Sequence, residues 1–218
     1  LRRFSVLEAF EKSAFASELE NMQREGDILH TNTIELVDER LSDQLPGVEP
    51  GDLLISCLFT NTIAIVSVES GKVVWAMRST WKWQHQPTAL DNGHILLLDN
   101  KGGRPRLGRS QVIEFDPVTG ERVWTYTGTP ANRFHTHTCG SCQRLPNGNT
   151  LICSVADGRP LAFTAENAIV WAYVIGFFHD IFPPAARSGP NRRARCRRLG
   201  PPDGAPPRRP RPPGLVGP

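Results

Sequence analysis

The chain has 218 residues, 39% of them hydrophobic, and a formal charge of +3. The charge is uneven. Residues 183–218 hold 11 prolines, 9 arginines, 5 glycines and one acid, a formal +8 that leaves −5 on the other 182 residues. An acidic body argues against nucleic acid as its partner, because phosphate binding needs a basic face there. No stretch approaches the roughly 20 consecutive apolar residues of a membrane helix. No signal-peptide pattern follows Leu1-Arg2-Arg3. The chain opens without Met, so compartment is not read from this end.

Residues 4–24 predict one helix within an N-terminal segment, 1–27. Phe4, Leu7, Phe10, Ala14 and Phe15 recur at three- and four-residue steps, and the segment lacks Gly and Pro. A packing role follows from such an amphipathic stripe.

From residue 28 to 175 short β-rich runs alternate with turn signals, the pattern of an all-β protein. The runs repeat. Gly71-Lys72-Val73-Val74-Trp75 returns as Gly120-Glu121-Arg122-Val123-Trp124 and, more loosely, as Asn167-Ala168-Ile169-Val170-Trp171, with the tryptophans 49 and 47 residues apart. Asn92-Gly93-His94-Ile95-Leu96-Leu97 matches Asn147-Gly148-Asn149-Thr150-Leu151-Ile152, and Pro50-Gly51-Asp52-Leu53-Leu54-Ile55 resembles both. Four short strands in about 50 residues make a propeller blade. The expected blades are 28–78, 82–128 and 134–175. Three do not close a ring, and an open set leaves an apolar blade face uncovered. The expectation is therefore a propeller fragment, with further blades elsewhere or supplied by a partner chain.

The Pro/Arg/Gly-rich tail, 183–218, is expected to be disordered, since its composition cannot build a core. Two other readings stand beside that one: a basic arm for an acidic partner, and a frame-shifted end.

Three of the six histidines keep step with the repeats: His30, His85 and His137, 55 and 52 residues apart, with His135 beside the third. A residue recurring once per blade sits at a similar radius in each, so these side chains can converge on a central channel, where grouped titratable side chains are functional candidates. The competing role is hydrogen bonding between blades. Arg104 follows the Gly-rich turn Asp99-Asn100-Lys101-Gly102-Gly103 and offers a fork of donors for an oxyanion. Arg106 and Arg109 read as solvated loop charges.

The run His135-Thr136-His137-Thr138-Cys139-Gly140-Ser141-Cys142 carries a minor alternative, a tetrahedral zinc site of His135, His137, Cys139 and Cys142. In a strand the first three share one face, and the Gly140 turn has to bring in the fourth. Buried thiols beside a channel histidine are the plainer reading, and no metal is expected. Five cysteines are not a disulfide framework in a chain this long.

These motifs together resemble the arylsulfotransferase (aryl-sulfate sulfotransferase) family. They are His30-Thr31-Asn32-Thr33-Ile34; Trp83-Gln84-His85, then Asn92-Gly93, then Asp99-Asn100 with Arg104; the run Gln143–Ile152; and the Gly-x-x-x-Trp turns. The resemblance covers about 28–175. It implies a six-bladed propeller, roughly twice this chain's length. It implies sulfuryl transfer from a phenolic sulfate ester to a phenol through a sulfated histidine, with no cofactor. It assigns catalytic roles to His30, His85 and Arg104, and blade phase adds His137. Asn32 and His135 are the expected substrate-binding residues. The expected partners are small phenols and their sulfates. The alternative function is a non-catalytic propeller that binds or scaffolds another molecule. A quinone-cofactor propeller ranks last, because the acidic metal ligands it requires are missing from the sequence.

Overall fold

The structure is a computed structural model that describes residues 3–104, 106, 109–155 and 158–173. The expected disordered tail lies outside them.

Among the described residues, twelve strands form three antiparallel four-stranded sheets, each a simple meander in chain order. The first holds β1 (Thr31–Leu36), β2 (Leu53–Cys57), β3 (Thr62–Val66) and β4 (Val73–Arg78). The second holds β5 (His85–Ala89), β6 (Ile95–Asp99), β7 (Gln111–Phe115) and β8 (Arg122–Tyr126). The third holds β9 (Ser141–Arg144), β10 (Thr150–Ser154), β11 (Arg159–Phe163) and β12 (Ile169–Ala172). The repeat tryptophans Trp75, Trp124 and Trp171 each fall on the last strand of a sheet. Gly71 and Gly120 turn into those strands at φ +67° and +76°. In the third copy Asn167 takes the same left-handed conformation at φ +69°, which asparagine tolerates better than most side chains. This is why the looser repeat still turns.

The sheets pack face to face as propeller blades do. The buried central strands alternate: β6 and β7 between two seams, β2 and β3 between the first seam and the N-terminal segment. Leu54, Ile63, Ile65, Trp81, Ile95, Leu97, Ile113 and Phe115 fill the seam between the first two sheets. Leu96, Leu98, Val112, Tyr126, Phe134, Cys142, Ile152 and Phe163 fill the next. The first strands of the blades lie side by side. Asn32 Nδ2 donates to the Gln84 carbonyl, Thr33 Oγ1 accepts from Gln86 N, and Glu35 Oε1 accepts from Ala89 N. The partners advance together, so β1 and β5 run in the same direction.

The N-terminal segment departs from the expected single helix. An α-helix, α1 (Val6–Glu11), is followed by a 3-10 helix at Ala16–Asn21. Ser13 makes the break: its hydroxyl donates to the Phe10 carbonyl and accepts from Phe15 N, so local side-chain bonds replace helical ones. The segment covers the other face of the first blade. Ala9, Phe10 and Leu19 pack on Ile55, Cys57, Ala64, Val66 and Val73. Glu18 anchors it, accepting from Thr62 Oγ1 at 3.1 Å and pairing with Arg78 at 3.4 Å. The first blade's outer face is thus not the bare surface that an open set of three blades predicts. A short helix α2 (Glu39–Ser42) bridges β1 and β2. Among the described residues, no helix is long and apolar enough to cross a membrane.

Candidate active site

The meander places all the sequence candidates on one end of the blades. His30 immediately precedes β1, His85 opens β5, and residues 135–140 lead into β9. The loop from β6 to β7, which carries Arg104, returns at that same end because His85 pairs with Leu98.

Trp83-Gln84-His85 is a connector with one reactive member. Gln84 is fully buried, and its Nε2 donates to Ser56 Oγ, the Cys57 carbonyl and the Thr62 carbonyl at 3.1–3.2 Å. It ties the second blade to the first and fixes where β5 starts. Trp83 sits at φ +59° with its N–H on Asn61 Oδ1, and Lys101 Nζ lies over its ring.

His85 is half-buried. Its Nδ1 lies 2.8 Å from Asn100 Oδ1 and 3.1 Å from the Trp83 carbonyl oxygen. The Asn100 amide is oriented by its other end: Nδ2 donates to the carbonyls of Thr136 (2.5 Å) and Cys139 (2.8 Å). Two carbonyls require the NH2 group there, so the oxygen faces His85. Both neighbours of Nδ1 only accept, so Nδ1 carries the proton. The lone pair of the neutral ring is then on Nε2, which has no hydrogen-bond partner among the described residues. Burial lowers the pKa of His85 below the ordinary imidazole value. The bonds from Nδ1 oppose that shift, and the nearby charge of His30 adds to it.

Asp99 secures the turn behind the ring. Fully buried, it accepts from the backbone N–H groups of Lys82, Lys101 and Gly102 and from Gln111 Nε2. Burial raises its pKa against those donors. Gly102 is required by close approach, since a Cβ there would strike Asp99 Oδ2 and the Thr80 carbonyl.

The other candidates are placed as follows. His30 is exposed at φ +52°, its Nδ1 2.5 Å from Asp27 Oδ2 and its ring tilted against Phe59. His135 is half-buried and His137 exposed, their ring centroids 5.9 Å apart. Arg104 is exposed in its loop. The Asn32 NH2 group is engaged by the Gln84 carbonyl, a bond between blades. The structure joins His85 to the 136–139 loop through Asn100 and brings His30 within electrostatic range. Asn100 is the candidate side chain that residue-type reasoning passed over, although it stands in the Asp-Asn motif.

The zinc arrangement does not assemble. Residues 135–140 are not a strand: Cys139 at φ +55° and Gly140 at φ +106° break the alternation that would have aligned His135, His137 and Cys139. Cys142 lies in the core, its thiol pushed up to about 12 by burial, while Cys139 is exposed. Among the described residues, no three His, Cys, Asp or Glu side chains converge as a metal site needs.

Blades packed side by side, with histidines gathered at the entry ends of their first strands, define a β-propeller with its candidate site at one end of the central strands. The chain belongs to the arylsulfotransferase (ASST) family, whose sequence model matches residues 1–176. No curated protein matches it. Similar solved structures include a protein of unknown function from Bacteroides caccae, at 14% identity over 57% of this chain and 42% of that one, TM-score 0.41. The WD40 β-propeller domain of Doa1 is 15% identical over 67% of this chain and 41% of that one, TM-score 0.46. The β-propeller domain of Myceliophteria thermophila Cps50 (Swd1) is 15% identical over 72% and 39%, TM-score 0.40. The chain therefore spans about two fifths of each of these structures.

Proposed function

We propose that these blades carry part of the active site of an aryl-sulfate sulfotransferase, and that His85 Nε2 receives the sulfuryl group. The observation that carries this reading is the orientation of His85: Nδ1–H is held by Asn100 and Trp83, and Nε2 is left as the nucleophilic nitrogen. A neutral imidazole is a competent nucleophile near pH 7, and the lowered pKa keeps it neutral there.

In the first half-reaction Nε2 attacks the sulfur of a phenolic sulfate. The N–S bond forms, the S–O(aryl) bond breaks, and the phenolate leaves with the electron pair. A neighbouring histidine, His30 or His137, acts as the general acid and gives it a proton. In the second half-reaction that histidine, now neutral, takes the proton of the acceptor phenol. The phenol oxygen attacks sulfur and the N–S bond breaks. Negative charge spreads over the sulfuryl oxygens in both steps, and Arg104 in its exposed loop supplies the cationic donors that stabilise it. Asn32 and His135 are the proposed substrate-binding residues, with the Asn32 NH2 group already held by the Gln84 carbonyl.

The test is release of p-nitrophenolate from p-nitrophenyl sulfate with a phenol as acceptor, in the intact protein that carries these blades. Transfer is expected, with a loss of at least about 100-fold in His85→Ala. Turnover unchanged in both His85→Ala and His137→Ala overturns the assignment.

A further inference from the structure

We infer that Asn100 is the positioning residue of the site: it sets the tautomer of His85 and links that choice to the fold of the loop leading into the third blade. The inference deepens the sulfotransferase reading and rests on it for its chemical meaning, but the geometry behind it stands on its own.

Asn100 is completely buried and lies at the end of β6, on the second blade. Its three polar contacts run in two directions. Oδ1 accepts from His85 on its own blade, and Nδ2 donates to the carbonyls of Thr136 and Cys139 on the approach to β9. Ser110 Oγ accepts from Thr136 N, and its single proton lies between the Asn100 and Thr136 carbonyls, 3.0 and 3.2 Å away. The 136–139 loop is thus clamped to the second blade at the position that orients the amide. If those two carbonyls move away, only the longer Trp83 bond to Nδ1 still favours the amide oxygen toward His85. An amide turned round would offer NH2 to Nδ1 and force the ring to carry its proton on Nε2, where the lone pair is needed.

The choice of asparagine over aspartate has a chemical reason. Both offer an acceptor oxygen to Nδ1–H, but a carboxylate would favour the imidazolium and repel the Thr136 and Cys139 carbonyls. The amide holds the proton on Nδ1 without adding charge, so the ring stays neutral. When Nε2 gains a sulfuryl group, the ring becomes cationic. The Nδ1–H bonds to Asn100 and to the Trp83 carbonyl then strengthen without moving, as preorganised acceptors should.

The experiment is nitrogen-detected NMR of the histidine rings in the full 218-residue chain, with His85→Asn used to assign the signal. In the unaltered chain, above its pKa, His85 is expected to show a protonated Nδ1 and an unprotonated Nε2. Free imidazole favours the opposite tautomer. Asn100→Ala, which leaves Nδ1–H only the longer Trp83 bond, is expected to raise the share of the Nε2–H tautomer. Asn100→Asp is expected to keep Nδ1–H and raise the His85 pKa. The inference is overturned by Nε2–H in the unaltered chain, or by a tautomer that does not change in a folded Asn100→Ala. If Asn100→Ala does not fold, the unaltered chain and Asn100→Asp decide the matter. No sulfate transfer enters these readings. An inactive protein with the expected tautomers sinks the enzymatic reading alone, whereas an active protein with the wrong tautomer sinks this one alone.

Discussion

Arg144 on β9 reaches across the seam between the second and third blades and places NH2 2.7 Å from Glu114 Oε2 on β7. The other carboxylate oxygen, Oε1, accepts from Asn92 Nδ2 at 3.0 Å and His94 Nδ1 at 2.9 Å. The guanidinium also lies over the Trp124 ring, 5.0 Å from its centroid. One nearly buried carboxylate therefore joins a hairpin turn, a central strand and the next blade. Burial opposes its ionisation, but the bonds from His94 and Asn92 and the charge of Arg144 outweigh it and hold the carboxyl below its usual range.

That direction fixes an acid sensitivity. A carboxyl with a depressed folded pKa contributes its full stability above the unfolded value, about 4.3, and loses it as pH falls through the folded value. Glu114→Gln is expected to cost about 1.5–3 kcal/mol at pH 7 and to lose less stability than the parent between pH 5 and pH 3. Denaturant unfolding at several pH values measures both. Equal acid sensitivity in the two proteins would show that the carboxyl titrates normally.

Gln84 is the corresponding tie between the first and second blades. Its NH2 group lies within hydrogen-bond distance of Ser56 Oγ and the Cys57 and Thr62 carbonyls, all buried. Gln84→Ala removes these bonds, although the Cys57 carbonyl keeps its bond from Thr60 Oγ1 and Ser56 Oγ keeps its bond to the residue-84 carbonyl, and is expected to cost about 1–3 kcal/mol in all. Gln84→Glu should be worse, because a buried carboxylate would face two carbonyl oxygens. Since Gln84 also fixes the start of β5, both variants should loosen His85, seen as weaker hydrogen-exchange protection at residues 84–86.

The repeat architecture was legible because its signals are local. Gly71, Gly120, Asn92-Gly93 and Asn147-Gly148 mark turns within a few residues, and the apolar runs between them can only be central strands. The helix over 4–24 was misjudged because one hydroxyl, on Ser13, competes with the helix backbone at a point that hydrophobic periodicity does not register. The shared face expected of His135, His137 and Cys139 failed for a similar reason: extended backbone was assumed where Gly140 must pass close to Leu98 and the Cys153 carbonyl. Of the candidate site, the titratable residue types were readable, but the atoms that orient them were not. Asn100 meets Thr136 and Cys139 across 36 and 39 residues of sequence, and only folding brings them together.

The N-terminal cover on the first blade predicts a chemical signature. Phe10 and Cys57 are both essentially inaccessible and pack in one cluster, and burial pushes the Cys57 thiol up to about 11. Deleting residues 1–22 exposes that face. Cys57 should then react with a thiol reagent at rates near those of exposed Cys139, while in the intact chain Cys139 reacts well ahead of it. Phe10→Ala, which leaves a cavity without removing the cover, is expected to cost about 3–5 kcal/mol with Cys57 still protected. A slow Cys57 in the truncated chain would mean that something else covers the face.

The last prediction concerns two histidines whose charges interact, His85 and His30. Burial lowers the pKa of His85, and the His30 charge lowers it further, since two adjacent imidazolium ions repel. His30→Gln removes the repulsion and leaves burial and the Nδ1 bonds in place. The His85 pKa should therefore rise, though not to the value of an exposed imidazole. Lys101 over Trp83 is present in both proteins, so its influence cancels in the comparison. A proton NMR titration of the His85 ring measures the shift directly. If His85 must be neutral to act, the acid limb of the sulfate-transfer profile should move to higher pH by the same amount. An unchanged His85 titration in His30→Gln would place the two rings too far apart to share a site.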